Sequence, residues 1–153
     1  MLIIVISSYY VYTQLSIKPI QKIVPVSVSV KQDCTVSDLD VIKSVNKYRA
    51  EKGVAPVTFS SKLNQFANER AVSENGVLDE HAGFYPRVHE LFDTYPYVDE
   101  IQGFVAGCHN SDERVGLFVL SDKHWKALMD SRYNYAGAGF YNNVLVIDFG
   151  QAI

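Results

Sequence analysis

The spacing of apolar and polar positions divides this 153-residue chain into stretches that fold by different rules. Val41, Ile42, Val45 and Tyr48 recur at helical spacing. Ser37 precedes them as a cap, and Asp40 sits in the first turn, where an acid suits the positive end of the helix dipole. Gly53 stops this helix because glycine enters the left-handed region at little cost, and Pro56 keeps it from restarting. A second helix starts after Ser60 or Ser61. It turns Leu63, Phe66 and Ala67 inward, with Arg70 and Ala71 in line, and closes at Gly76.

Beyond it the helical period is lost. Residues 81–97 are aromatic and broken by Pro86 and Pro96, which predicts a long ordered loop with one helical turn around residues 88–92. Residues 99–106 read as a strand. Ser111 is the expected cap of a third helix, with Asp112 and Glu113 at its positive end and Val115, Phe118 and Val119 as its apolar stripe. A short helix over 124–129 extends it. The clearest strands come last: 135–141 and 144–149 flank Asn142-Asn143, a pair that tolerates positive φ and makes a tight hairpin. Gly137 and Gly139 keep part of one strand small, so that another element can approach closely. Helices first and a hairpin last give an α+β order, without an internal repeat.

The first 17 residues follow neither pattern. They carry no charge, and Leu2 to Ile6 is unbroken apolar sequence, which predicts a signal-like or anchoring segment. There is no positive flank and no small-residue cleavage site, so retention as an anchor is favoured over removal; a buried or disordered N-terminus is the alternative. Residues 18–36 read as a linker. Val24, Val26, Val28 and Val30 alternate like a strand, but Pro19 and Pro25 favour an extended tether. Residues 37–153 then form one domain.

With 48% hydrophobic residues the chain can build a core, and a net charge of −3 without a basic stripe excludes a nucleic-acid surface. Membrane contact is expected only through the N-terminal segment. The two cysteines, Cys34 and Cys108, would bridge in an exported chain; two buried thiols are the alternative.

Asn46-x-x-Arg49-x-x-x-Gly53-x-x-Pro56, then Leu63 with Ala67 and Ala71, then His81, resembles the CAP superfamily (cysteine-rich secretory, antigen 5 and pathogenesis-related 1 proteins), in the form of a bacterial SCP-like extracellular domain. Asp99-Glu100-Ile101 is similar to its Gly-Glu-Asn-Ile motif. Ser121 to Met129, with His124 and Leu128, is similar to the Ser-Pro-Gly-His-Arg-x-x-Leu segment of bacterial members. Ala136-Gly-Ala-Gly139-Phe140 and Phe149-Gly150-Gln151 resemble the closing hairpin. The likeness runs from Asp38 to Gln151. It implies an α-β-α sandwich around a small antiparallel sheet, in a secreted or membrane-anchored protein.

The resemblance also implies a cleft with two histidines and two acids. His81 and His124 match the histidines, and Glu100 matches one acid. The second acid is not found, because Ser121 lies where animal and plant members carry glutamate. Phe118 stands in place of a tryptophan, Asp99 in place of a glycine, and Gln102 departs from the motif. Neutral imidazoles suit a divalent metal such as zinc, so His81 and His124 are candidate metal ligands with Glu100 beside them. Ser121 reads as a helix cap rather than a nucleophile. Asp130 and Asp148 are expected at the surface or in turns, and His89 and His109 at the surface. Tyr85, Tyr95 and Tyr97 line a groove or simply pack the loop. The expected function is binding of a small apolar ligand, an envelope component or an extracellular protein through this cleft, with a metal-dependent peptidase or esterase as the alternative.

Overall fold

The computed structural model describes residues 36–107 and 109–152. The signal-like segment 1–17, nearly all of the linker, and both cysteines of the expected bridge, Cys34 and Cys108, lie outside the described residues.

Helix α1 spans Asp38–Glu51, and the Ser37 side chain accepts from the Asp40 amide as expected. Strand β1 is only Thr58–Phe59. Helix α2 spans Ser61–Glu74, with Ser60 capping the Leu63 amide. A 3₁₀ turn at Val88–Leu91 leads to β2, Tyr97–Phe104. Helices α3 (Ser111–Val119) and α4 (Asp122–Met129) precede the hairpin of β3 (Tyr135–Tyr141) and β4 (Val144–Gln151). The sheet order is β1-β3-β4-β2. The three long strands are antiparallel, and β1 adds a short parallel edge against β3.

Two layers of helix enclose this sheet. On one face Val41, Ile42 and Val45 of α1, Val115 and Phe118 of α3, and Leu128 of α4 pack on Ala136, Ala138, Ile147 and Phe149. On the other face α2 sets Ala67 and Ala71 against Val144 and Val146. The α-β-α sandwich follows from this division. The glycines of β3 set the spacing: a Cβ on Gly137 would lie 2.0 Å from the Asn64 nitrogen, and one on Gly139 would lie 2.4 Å from the Asn68 nitrogen. The small strand face therefore admits the α2 backbone itself.

Three local expectations shift. Asn110, not Ser111, caps α3, because Asn110 and Glu113 satisfy each other's backbone amides in a capping box. Helix α4 is a separate helix starting at Asp122. Ser121 holds its cap position, but through its backbone carbonyl, which accepts from the Trp125 amide at 2.8 Å, and not through its side chain. Strand β1 was not foreseen; two residues carry no period to detect.

The Asn46 and Arg49 motif has a structural explanation. Asn46 pairs both ways with the Val57 backbone at 2.8 and 2.9 Å. Arg49, fully buried, donates to the carbonyls of Ala55, Leu128, Asp130 and Tyr133. One guanidinium thus ties α1 to the end of α4 and the entry of β3. Arg49→Leu leaves these carbonyls without their donor and is expected to cost about 3 kcal/mol in urea unfolding. Gly137→Ala, which drives a methyl into the α2 backbone, should cost about 3 kcal/mol as well.

Candidate functional site

The site forms where the segment after α2 folds back over β2, the outer strand of the sheet. His81 is carried on two consecutive left-handed residues, Glu80 at φ 54° and His81 itself at φ 69°. Side chains other than glycine seldom occupy this region, and each such residue costs about 1–3 kcal/mol unless its surroundings hold it there.

The His81 imidazole meets Glu100, with Nδ1 3.0 Å from Oε1. Glu100 is not the exposed acid that a strand start allows: its side chain is fully buried. Arg70 of α2 neutralises it, donating from Nε to Oε2 at 2.8 Å and from Nη2 to Oε1 at 3.2 Å. The same guanidinium reaches Asp79 through two bonds of 3.0 and 2.9 Å, and Glu74 at 3.1 Å. One cation therefore faces three acids in a nearly dry site. Burial works against the Arg70 charge, yet Glu100 and Asp79 outweigh it and raise its pKa. Burial works against Asp79 too, but Arg70 and the Gly83 amide hold it below the usual carboxylate range. Glu74 absorbs the imbalance: burial, then the charge of Asp79, pushes it up to about 7.

An ionised carboxylate only accepts, so Glu100 keeps the proton of a neutral His81 on Nδ1 and leaves the Nε2 lone pair free to act. The ring sits at a cavity of about 140 Å³ lined by His81, Phe84, Tyr85, Val98, Asp99 and Glu100. Asp99 is a second acid at this cavity, at a position where the family motif has glycine. Burial raises its pKa, and it lies within the field of His81. Neighbours on a strand face opposite ways; Asp99 and Glu100 both line this cavity because β2 is an edge strand.

His124 comes from α4 on the far face of the sheet. Its ring packs edge-on against Phe118, with centroids 5.0 Å apart. Burial lowers its pKa, and the charges of His81 and Lys123 lower it further. The fold thus gathers His81, Glu100 and Asp99 at one cavity and brings His124 within electrostatic reach. Ser121 precedes His124 at the start of α4. Tyr85 lines the cavity; Tyr95 is buried with its hydroxyl on Ser60, and Tyr97 is exposed. His89 is exposed, while His109 is tied to the Ala106 carbonyl.

Both Glu100 oxygens are engaged by Arg70, and His81 Nδ1 is taken. Among the described residues, no group of three or more His, Cys, Asp or Glu side chains is arranged to hold an ion.

The expectation for Asp148 is overturned. It is fully buried on β4, directly across from Glu100, and neither carboxyl oxygen has a hydrogen-bond partner. Burial, and then the charge of Glu100, raise its pKa well above the ordinary carboxylate value, which favours the neutral form. Asp130 does serve a turn, accepting from the Arg132 amide. Arg70, Glu74, Asp99 and Asp148 escaped the sequence reading as site residues. The one available signal was Arg70, a charge in line with the apolar face of α2.

Folding raises the Glu74 pKa from 4.5 to about 7, so the folded state holds this proton more tightly than the unfolded chain does. The resulting stability is complete below about pH 4.5 and is lost as pH rises through about 7. Glu74→Gln removes the titration. The stability of the parent relative to this variant, from urea unfolding, should therefore fall between about pH 4.5 and 7 and level off above. A relative stability that rises with pH would contradict the assignment.

The cysteine-rich secretory protein family, CAP, matches residues 42–144. Among solved structures, the chain is similar to a cysteine-rich secretory protein of Staphylococcus aureus, with 19% identity and a TM-score of 0.62 over 74% of this chain and 38% of that one. It is similar to an outer surface protein of Borrelia burgdorferi, with 16% identity and a TM-score of 0.59 over 74% of this chain and 90% of that one. An extracellular protein of Bacillus anthracis containing an SCP domain shares 14% identity, with a TM-score of 0.60 over 74% of this chain and 39% of that one. The match spans less than half of the staphylococcal and Bacillus proteins and most of the Borrelia one. None of the curated proteins matches the chain. At these identities the structural likeness concerns the fold, whereas the family match takes in most of the domain, and on that match the chain belongs to the cysteine-rich secretory protein (CAP) family.

Proposed function

We propose that this domain is an extracytoplasmic binding module that takes one apolar group of a larger partner, an envelope component or an extracellular protein, into the His81 cavity. The observation that carries the reading is the combination of size and polarity. A cavity of about 140 Å³ is comparable to cavities that hold a single benzene. It is well below the roughly 300–1,000 Å³ that encloses a whole drug-sized ligand. It suits one ring or aliphatic branch, with Phe84, Tyr85 and Val98 as the apolar wall and His81 Nε2 as a polar anchor.

The chemistry of Glu100 supports binding over hydrolysis. Its carboxylate is spent on Arg70 and on orienting His81, so it fixes a ring rather than activating a water. Export is supported by the uncharged N-terminal segment. The similar proteins of Staphylococcus, Borrelia and Bacillus are described as secretory, outer surface and extracellular.

p-Cresol, the tyrosine side chain without its backbone, is a direct probe. Titrated at millimolar concentration, it should shift the NMR signals of His81, Tyr85 and Val98 selectively. His81→Ala should weaken binding about threefold, the size of one neutral hydrogen bond. Shifts spread evenly over the surface would sink the reading. Peptide or ester hydrolysis that is lost in His124→Ala, with one zinc per chain by elemental analysis, would replace it with a metal-dependent hydrolase.

A further inference from the structure

Gln102 of β2, like Asp99, departs from the family motif, and it is buried at 4% exposure. The orientation of its amide is assigned from its partners: only with the nitrogen toward Glu74, 2.5 Å from Oε1 and 2.6 Å from Oε2, does each end meet a group it can bond. Its oxygen faces the backbone amides of His81 and Glu80, at 2.6 and 3.0 Å. These are the two residues in the left-handed region. A single carbonyl oxygen thus accepts from both strained residues, and the amide that carries it is held at its other end by a buried acid.

The bonds close into a ring. From the His81 amide the path runs to Gln102, Glu74, Arg70 and Glu100, and returns to His81 at Nδ1. Backbone and imidazole of one residue are clamped by the two ends of the same buried chain. Glu100 alone sets the rotation of the ring; without the other arm the turn carrying it would be free to relax to a less costly φ.

We infer that Gln102 is a positioning residue of the cleft, which locks the Glu80–His81 turn in its left-handed form and so fixes where the imidazole points. The polarity of the amide is essential to this role. Oxygen must face the turn and nitrogen must face Glu74. A leucine at 102 fills the space but accepts nothing. A glutamate accepts from the turn but, above about pH 7 where Glu74 is charged, repels Glu74. The exchanged pair Glu74→Gln with Gln102→Glu restores both contacts, because the amide at 74 then donates to the carboxylate at 102.

The inference builds on the cleft reading above, but amide hydrogen exchange tests it with no ligand present. In Gln102→Leu the Glu80 and His81 amides should exchange about tenfold faster, while the β2–β4 ladder amides keep their protection. Gln102→Glu should also lose protection at these two amides, and the exchanged pair should regain it. p-Cresol should bind less tightly to Gln102→Leu than to the parent. Unchanged protection at Glu80 and His81, or a loss spread evenly through the sheet, overturns the role. If Gln102→Leu does not fold, the comparison of Gln102→Glu with the exchanged pair decides, and no regain of protection overturns the role equally. Failure of p-cresol to bind the parent would sink the cavity reading alone and leave the exchange result standing.

Discussion

The Arg70 guanidinium is the fixed point of this structure. It is 1% exposed, it rises from the middle of α2, and it faces three carboxyl groups that come from its own helix, the following turn and the edge strand. Removing one partner of such a cluster leaves a charge stranded in low dielectric, typically a loss of about 3–5 kcal/mol. The turn beyond α2 returns to β2 because Asp79 has to reach this cation. His81 stands over β2 because the turn returns there. The geometry of the cleft is thus a consequence of where one arginine is buried.

Buried ion pairs are poor devices for stability, since apolar side chains of the same volume often do as well or better. Apolar packing cannot, however, orient an imidazole. The fixed fork of the guanidinium sets the plane of Glu100, and Glu100 sets the proton on His81. The left-handed φ of Glu80 and His81 is strain of the kind that survives only where several contacts over-determine it. The arrangement spends stability on pointing one ring at a small cavity. That is intelligible for a recognition site and hard to explain as scaffolding.

What the sequence disclosed and what it concealed divide along a physical line. Helices α1 and α2, their caps and the closing hairpin rest on short-range periods and turn chemistry, and those are written locally. That some element approaches β3 closely was legible from Gly137 and Gly139; that this element is α2 was not. His81, Glu100 and His124 were legible through motif order. Asp99 was hidden because a strand period assigns it to the face opposite Glu100, and only the position of β2 at the sheet edge brings both acids to one cavity. Asp148 was hidden because an acid in an apolar strand resembles a strand end until the partner strands are known. Strand β1 was hidden because its pairing with β3 is wholly long-range.

Asp148 extends the same logic into the core. Across β4 it faces Glu100 on one side and Gly137 on the other. Two carboxyl groups side by side on adjacent strands repel when both are charged, and Arg70 bonds Glu100, Asp79 and Glu74 but not Asp148. Of the two, Asp148 is the acid without a partner, and burial and the neighbouring Glu100 raise its pKa. Both Glu100 oxygens accept from Arg70, and Oε1 also meets His81 Nδ1. Both acids are buried, so it is the Arg70 guanidinium, bonded to Glu100 and not to Asp148, that distinguishes the carboxyl beside the imidazole.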